Sequence, residues 1–409
     1  MKALKIMIVL FILIMSVGTV CAAENITKDS VSDNGQDILE CTQEHVVAVD
    51  DSPQSFSKLN EEITNATGNY LKLNADYKFN SSSDSEGGIV IRNDNFVLDG
   101  EGHTIDANNQ ARAFVILGTN VTVNNLTIIN ANSQAGSAFI IPSGSLTTNY
   151  VNIDNCTAVR GVVFTENGPS YTNNYGKITD STSDSFGVVY IANSTATFNN
   201  VFMSSSKELA WGFVYGRSGA TITVLNSIFA NTTSQYSTAI MSDKSTIIKN
   251  SKFINLYANF TAGAVAIKGI QDTAVIENCT FVNVSSSKNG GALFIDTYDT
   301  VFKPVSITNS TFTDCNSGFG GAIMALGGNI TIKDCNFTNN VVLFDGGAIY
   351  TSHSIMTISN SIFDENGGFG SVVGRDSYGG AIYGDVCELN LYNSKLINNF
   401  AQSGPAIYL

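Results

Sequence analysis

The chain has 409 residues, 43% of them hydrophobic and only 14% charged, and its 35 acidic against 21 basic residues give a net charge of −14. That balance, with no Lys/Arg cluster to offset it, excludes nucleic acid and anionic membrane as partners held by bulk electrostatics. Five prolines and 36 glycines among short Val/Ile/Thr/Phe runs point away from helical repeats and towards many short strands.

Met1 to Ala23 carries Lys2 and Lys5, an apolar run from Ile6 to Met15, and Cys21-Ala22-Ala23 ahead of Glu24. This is the pattern of a secretory signal peptide, residues 1–23, removed after Ala23; an uncleaved membrane anchor is the alternative, for which the run is short. Residues 24–44 are polar, acidic and without period, which predicts a disordered spacer. Residues 45–409 read as one repeat domain. Near its start, Ser55 is a helix N-cap candidate, and Phe56, Leu59 and Ile63 fall on one face of a short helix suited to cover the first rung of a stack.

Thirteen apolar three-residue cores follow, from Ile89-Val90-Ile91 through Ala113-Phe114-Val115 and Ala348-Ile349-Tyr350 to Ala406-Ile407-Tyr408. Their spacing runs from 24 residues (89 to 113) to 33 (348 to 381). A period of this size marks one supersecondary unit per repeat, each unable to bury its apolar face alone. Between the cores a second strand recurs, as in Ile276-Glu277-Asn278-Cys279-Thr280-Phe281. Its apolar positions change parity at the Asn, so the chain bends there, and Asn tolerates the left-handed backbone of a bend. The prediction is an all-β parallel β-helix of about thirteen rungs, roughly 60 Å long at ~4.8 Å per rung. Asn125, Asn155, Asn200, Asn226, Asn250, Asn278, Asn309, Asn360 and Asn393, with Asp334 in place once, are expected to line one corner as a hydrogen-bonded amide ladder.

The middle residue of every core, from Val90 and Phe114 to Ile407, is aliphatic or Phe and is expected to face inward. Alternation then turns outward a column of small residues, mostly Ala, and a column containing Phe164, Tyr190, Tyr215, Phe294, Tyr350, Tyr383 and Tyr408. Such a column either stabilises itself ring against ring or offers a binding stripe. Two residues further on, Arg217, Asp243, Lys268 and Asp296 alternate in sign and predict a cross-rung ion-pair ladder. The longest interval inserts Gly367 to Tyr378, whose Phe369, Arg375 and Tyr378 form the leading candidate loop for a specific partner. Cys156, Cys279 and Cys335 each follow a corner residue, in one interior column too widely spaced for disulfides.

The Gly290-Gly291-Ala292-Leu293, Gly320-Gly321-Ala322-Ile323, Gly346-Gly347-Ala348-Ile349 and Gly379-Gly380-Ala381-Ile382 runs, with Phe337 to Asn340 and Phe363 to Asn366 as Phe-x-x-Asn, resemble repeats of the polymorphic-outer-membrane-protein type. Val97-Leu98-Asp99-Gly100-Glu101-Gly102-His103-Thr104-Ile105-Asp106 resembles the first turn of right-handed β-helix surface proteins. Together they are most similar to adhesin-like surface proteins of methanogenic archaea. The resemblance implies a right-handed helix, export and a surface role, and it carries over no catalytic residue.

Function is therefore expected to be that of an exported, non-catalytic adhesin-like protein. Its partners would be glycans or surface proteins of other cells, with cell-wall association and no cofactor or metal. A polysaccharide lyase or glycosidase is the first alternative, since the same architecture hosts both. His45, His103 and His353 are scattered, however, and no basic residue shares a column with clustered acids. A passive spacer or wall component is the second; Asn-x-Ser/Thr sequences such as Asn231-Thr232-Thr233 could carry glycans on it. The chain stops at Leu409, one residue past the last core. A fragment of a longer protein is expected, with pairing of the last rung to another molecule as the alternative.

Overall fold

The computed structural model describes residues 52–205, 207–269, 272, 274–297, 304–370 and 376–409. The signal peptide and spacer, Cys41, His45, Arg375 and most of the 299–304 insertion lie outside the described residues.

Each repeat folds into one coil of three short strands, and equivalent strands pair in parallel from coil to coil. Two sheets have thirteen strands each, running from Tyr70–Lys72 to Glu388–Tyr392 and from Ile89–Ile91 to Ile407–Tyr408. A third starts at Tyr77–Lys78 and gains short extensions in the C-terminal half. The thirteen-rung parallel β-helix is thus the fold. Parallel pairing leaves no strand hydrogen-bonded to its sequence neighbour, so the strand amides and carbonyls are satisfied by the coils above and below.

The core is a stack of like residues. Phe229, Phe253, Phe281, Phe312, Phe337 and Phe363 are fully buried with neighbouring ring centroids 4.6–5.3 Å apart and planes within 6°. A rung spacing near 4.8 Å places identical rings at stacking distance, which explains why Phe recurs at this position.

Corners are made by left-handed residues, as the Asn positions predict: Asn226, Asn250, Asn278, Asn309, Asn360 and Asn393 have φ of 48–53°. Most coils have a second such corner five residues on, at Asn231, Asn255, Asn283, Asp314, Asn339, Glu365 and Asn398 among others. Asn155 belongs to this second corner, with Asn130, and not to the first. Cys156 accordingly follows the second corner, whereas Cys279 and Cys335 follow the first. Elsewhere in the first column a serine does the same work. Ser227 Oγ donates to Leu225 O (2.7 Å) and accepts from Val201 N of the previous coil (3.2 Å), satisfying an amide the bend would orphan.

Two facing expectations are corrected. Val90 is turned out, because Ile89 is the residue that aligns with Phe114. The alanine column is not outward: Ala292, Ala322, Ala348 and Ala381 are fully buried in the main core. The amides of Ala322 and Ile323 both donate to Ala348 O at 2.9 Å, so the pleat is interrupted and two successive side chains face inward. Left-handed glycines just before, such as Gly320 (φ 62°) and Gly346 (φ 73°), set up this bend.

Helix α1 (Phe56–Asn65) forms as expected, with Ser55 Oγ accepting from Lys58 N and Phe56, Leu59 and Ile63 buried on the first rung. Asn60 Oδ1 accepts from Val90 N at 2.8 Å, which closes an amide of the edge strand. Asp84 accepts from the amides of Phe56 (3.0 Å), Ser57 (2.8 Å) and Asn80 (2.7 Å). Partial burial pushes its carboxyl up, but these hydrogen bonds outweigh burial and hold it below the usual range. Replacing Asp84 by Asn is expected to cost about 1 kcal/mol near neutral pH. A lowered carboxyl stabilises the fold above its unfolded value and loses that effect as pH falls through the folded one. Melting curves of the two proteins should therefore converge in acid.

Candidate binding face

The aromatic column is continuous in register: Phe164 opposite Tyr190, Tyr190 opposite Tyr215, Met324 opposite Tyr350, Tyr350 opposite Tyr383 and Tyr383 opposite Tyr408. It points away from the main core, yet much of it is covered. Tyr190 and Tyr215 are only 6% and 8% exposed and form a satellite cluster with Phe164, under Phe186 and Trp211. Phe186 lies 4.5 Å from the Tyr190 ring and Trp211 5.1 Å from Tyr215. Phe294 is 5% exposed in a similar cluster with Ala262, Ala266 and Met324. Burial raises the Tyr190 and Tyr215 hydroxyls above their ordinary value. Phe186, Trp211 and Phe319, from segments leading into strands of this sheet, pack across this part of the column, so these three candidate residues pack rather than project.

Accessibility returns further along. Tyr350 and Tyr383 are half-buried and stacked, with centroids 5.0 Å apart and planes 15° apart; Tyr383 and Tyr408 are 5.7 Å and 3° apart. Rings stacked along the rod turn their faces to one another and their edges to solvent. Such a ladder cannot offer open ring faces along its length. In the inserted loop Phe369 is 60% exposed and leans on Phe400 at 5.2 Å, while Tyr378 is half-buried, 4.8 Å from Tyr408. Arg375 of the same loop lies outside the described residues.

The charged column keeps its register, with Lys268 opposite Asp296, but its members do not pair. Asp243 accepts instead from the amides of Ser218 (2.6 Å) and Gly219 (3.1 Å), and Lys268 Nζ sits 5.7 Å from the centre of the Phe294 ring. Backbone amides at the turn offer fixed donors at lower entropic cost than a second long side chain.

Corner amides do join from coil to coil: Asn250 to Asn226 (3.1 Å), Asn278 to Asn250 (2.8 Å) and Asn309 to Asn278 (3.3 Å) at the first corner. Asn255 to Asn231 and Asn283 to Asn255 join likewise at the second, both at 2.9 Å. A third, buried ladder is formed by Asn340, Asn366 and Asn399, the last residues of the Phe-x-x-Asn pattern and its Leu396 variant. Asn366 Oδ1 accepts from Asn340 N (3.1 Å) and Nδ2 (2.8 Å), and its Nδ2 donates to Phe337 O and Asn399 Oδ1 (both 2.9 Å).

Five cysteines lie within the described residues, all unpaired. Burial pushes the Cys156 and Cys315 thiols up to about 12, and those of Cys279 and Cys335 to about 11. Two outcomes are expected. A maleimide should label Cys387, which is half-buried, well before these four. Stability should also fall as pH rises above 9.0, the ordinary thiol value, because the unfolded chain then releases protons the fold retains.

Among the described residues no three His, Cys, Asp or Glu converge to hold a metal. His103 bonds Asp76 at 3.0 Å in the first turn and His353 bonds Ser352 Oγ at 2.8 Å. Asp106 pairs with Lys78 (3.1 Å) and Asp99 accepts from Tyr70 (3.2 Å), so the acids of the first turn tie it to the preceding coil.

A family model described as "Right handed beta helix region" matches residues 240–408. No curated protein matches the sequence. Two solved structures of PfbA, a surface protein and adhesin of Streptococcus pneumoniae, are similar at 12% identity and a TM-score of 0.35. Each covers 85% of this chain, with 98% and 93% of the respective PfbA chains covered. The fold of the chain is a right-handed parallel β-helix.

Proposed function

We propose that the chain is an exported, adhesin-like surface protein that holds glycans or surface proteins of other cells along the outer side of its C-terminal coils, without catalysis. The signal-peptide pattern of residues 1–23 and the resemblance to surface proteins of methanogens support export. One structural observation supports the binding side. Phe369 stands 60% exposed against Phe400, in the same C-terminal coils as the half-buried, stacked Tyr350 and Tyr383. Large exposed aromatic groups mark interaction sites more often than scattered ones do.

A spacer role is the second reading, favoured by the pairing of corner amides such as Asn250 and Asn278 and by the burial of Tyr190, Tyr215 and Phe294. Retention of the protein on intact cells and insoluble polysaccharides separates the two. Binding lost on Phe369→Ser, and again on Tyr350→Ala with Tyr383→Ala, supports adhesion. Absence of retention on every surface leaves the spacer.

A further inference from the structure

A second feature of the outer surface lies on a different column. Two residues beyond the second corner, Tyr257 stands opposite Ser285, Ser285 opposite Asn316, and Asn316 opposite Val341. Tyr257 and Leu343, 39% and 43% exposed, rise at the two ends of a depression of about 400 Å³ floored by Ser285 and Asn316. Three rung spacings separate the ends, roughly 14 Å.

The hydrogen-bonding groups lining the depression divide in two: the hydroxyls of Ser286, Ser287 and Ser317 donate to backbone carbonyls, while others are unspent. Asn283 Nδ2 donates to Asn255 Oδ1 (2.9 Å) and Asp314 Oδ1 accepts from Asn339 Nδ2 (2.6 Å), so the rim is locked into the corner ladder. By contrast, the Ser285 hydroxyl, the Asn316 amide and the Tyr257 hydroxyl make no side-chain hydrogen bond among the described residues. No other ring stacks on Tyr257 there, unlike the Tyr350 and Tyr383 pair, and its side chain is partly exposed. A partly exposed ring followed by unpaired hydroxyl and amide groups and closed by an aliphatic side chain suits a ligand with apolar C–H faces and equatorial hydroxyls. Asp314 on the rim and the net charge of −14 disfavour an acidic one.

We propose that the depression between Tyr257 and Leu343 binds a neutral oligosaccharide. It deepens the adhesion reading by naming a ligand class, and rests on that reading only for its biological use.

The test is titration calorimetry of the protein with chitohexaose, mannohexaose and, as the acidic counterpart, hexagalacturonate. Saturable binding of a neutral hexasaccharide is expected, weakened about tenfold or more by Tyr257→Ala and by Asn316→Ala. Both side chains are exposed, so the melting temperature of each variant should match that of the parent. No binding of either neutral probe, binding indifferent to both substitutions, or preference for hexagalacturonate would overturn the proposal. Retention on cells with titrations indifferent to Tyr257 removes this site and leaves adhesion standing. Oligosaccharide binding without retention on any cell does the reverse.

Discussion

Gly347→Ala is expected to lower stability by roughly 3 kcal/mol or more. A Cβ at Gly347 would meet the carbonyl oxygen of Gly380 in the next coil, together with the amide nitrogen and Cα of Gly367. All three are backbone atoms, so no side chain can swing aside and the coils themselves must separate. In a solenoid each coil is stabilised chiefly by its neighbours, and a wedge between two coils weakens every rung beyond it. Gly269→Ala is the control. There φ is +60° but no atom lies within 4 Å of the added carbon, so only the left-handed backbone is penalised, by ~1–2 kcal/mol. Urea unfolding of both variants distinguishes a steric wedge from a conformational preference, and equal losses would contradict the wedge.

Asn366→Ala should cost on the order of 4 kcal/mol, because the buried amide makes four hydrogen bonds and truncation leaves several buried partners unsatisfied at ~1–3 kcal/mol each. Asn336→Ala, at an exposed strand position of the same region, should stay within about 0.5 kcal/mol. A small loss at Asn366 would mean that water or neighbouring amides replace the side chain, and that the buried ladder is dispensable.

Repetition made the architecture legible. Period, strand parity and the corner asparagines all report the same constraint, a coil that must lay like residues on like residues, and the number of rungs follows from counting cores. The second corner was equally written in the chain, since Asn226 and Asn231, Asn250 and Asn255, and Asn278 and Asn283 repeat at a fixed offset of five. It is easily missed because Asp180, Asp314 and Glu365 also occupy it. The Tyr257 depression becomes visible only once that corner is placed, as the column two residues after it.

Facing was harder to read. Alternation predicts Ala348 outward, and one carbonyl accepting two successive amides turns it inward. The cover over Tyr190 and Tyr215 was not legible for a different reason: Phe186 and Trp211 sit in connecting segments of uneven length, where no period says which ring will fold back. Tyr150 and Tyr175 show the same limit at the first corner. They take left-handed φ of 55° and 57° where most coils use Asn, and they stack at 4.8 Å instead of pairing amides.

The measurement that tests the account most directly is hydroxyl-radical footprinting of the protein while it is held on whichever cell surface or polysaccharide retains it, against the free protein. Protection confined to Phe369, Tyr350, Tyr383 and Tyr257, with Tyr150 and Tyr175 at 58% and 47% exposure still reacting, is the predicted result. Protection at Tyr150 and Tyr175 with none at Phe369 would contradict a binding face on the C-terminal coils.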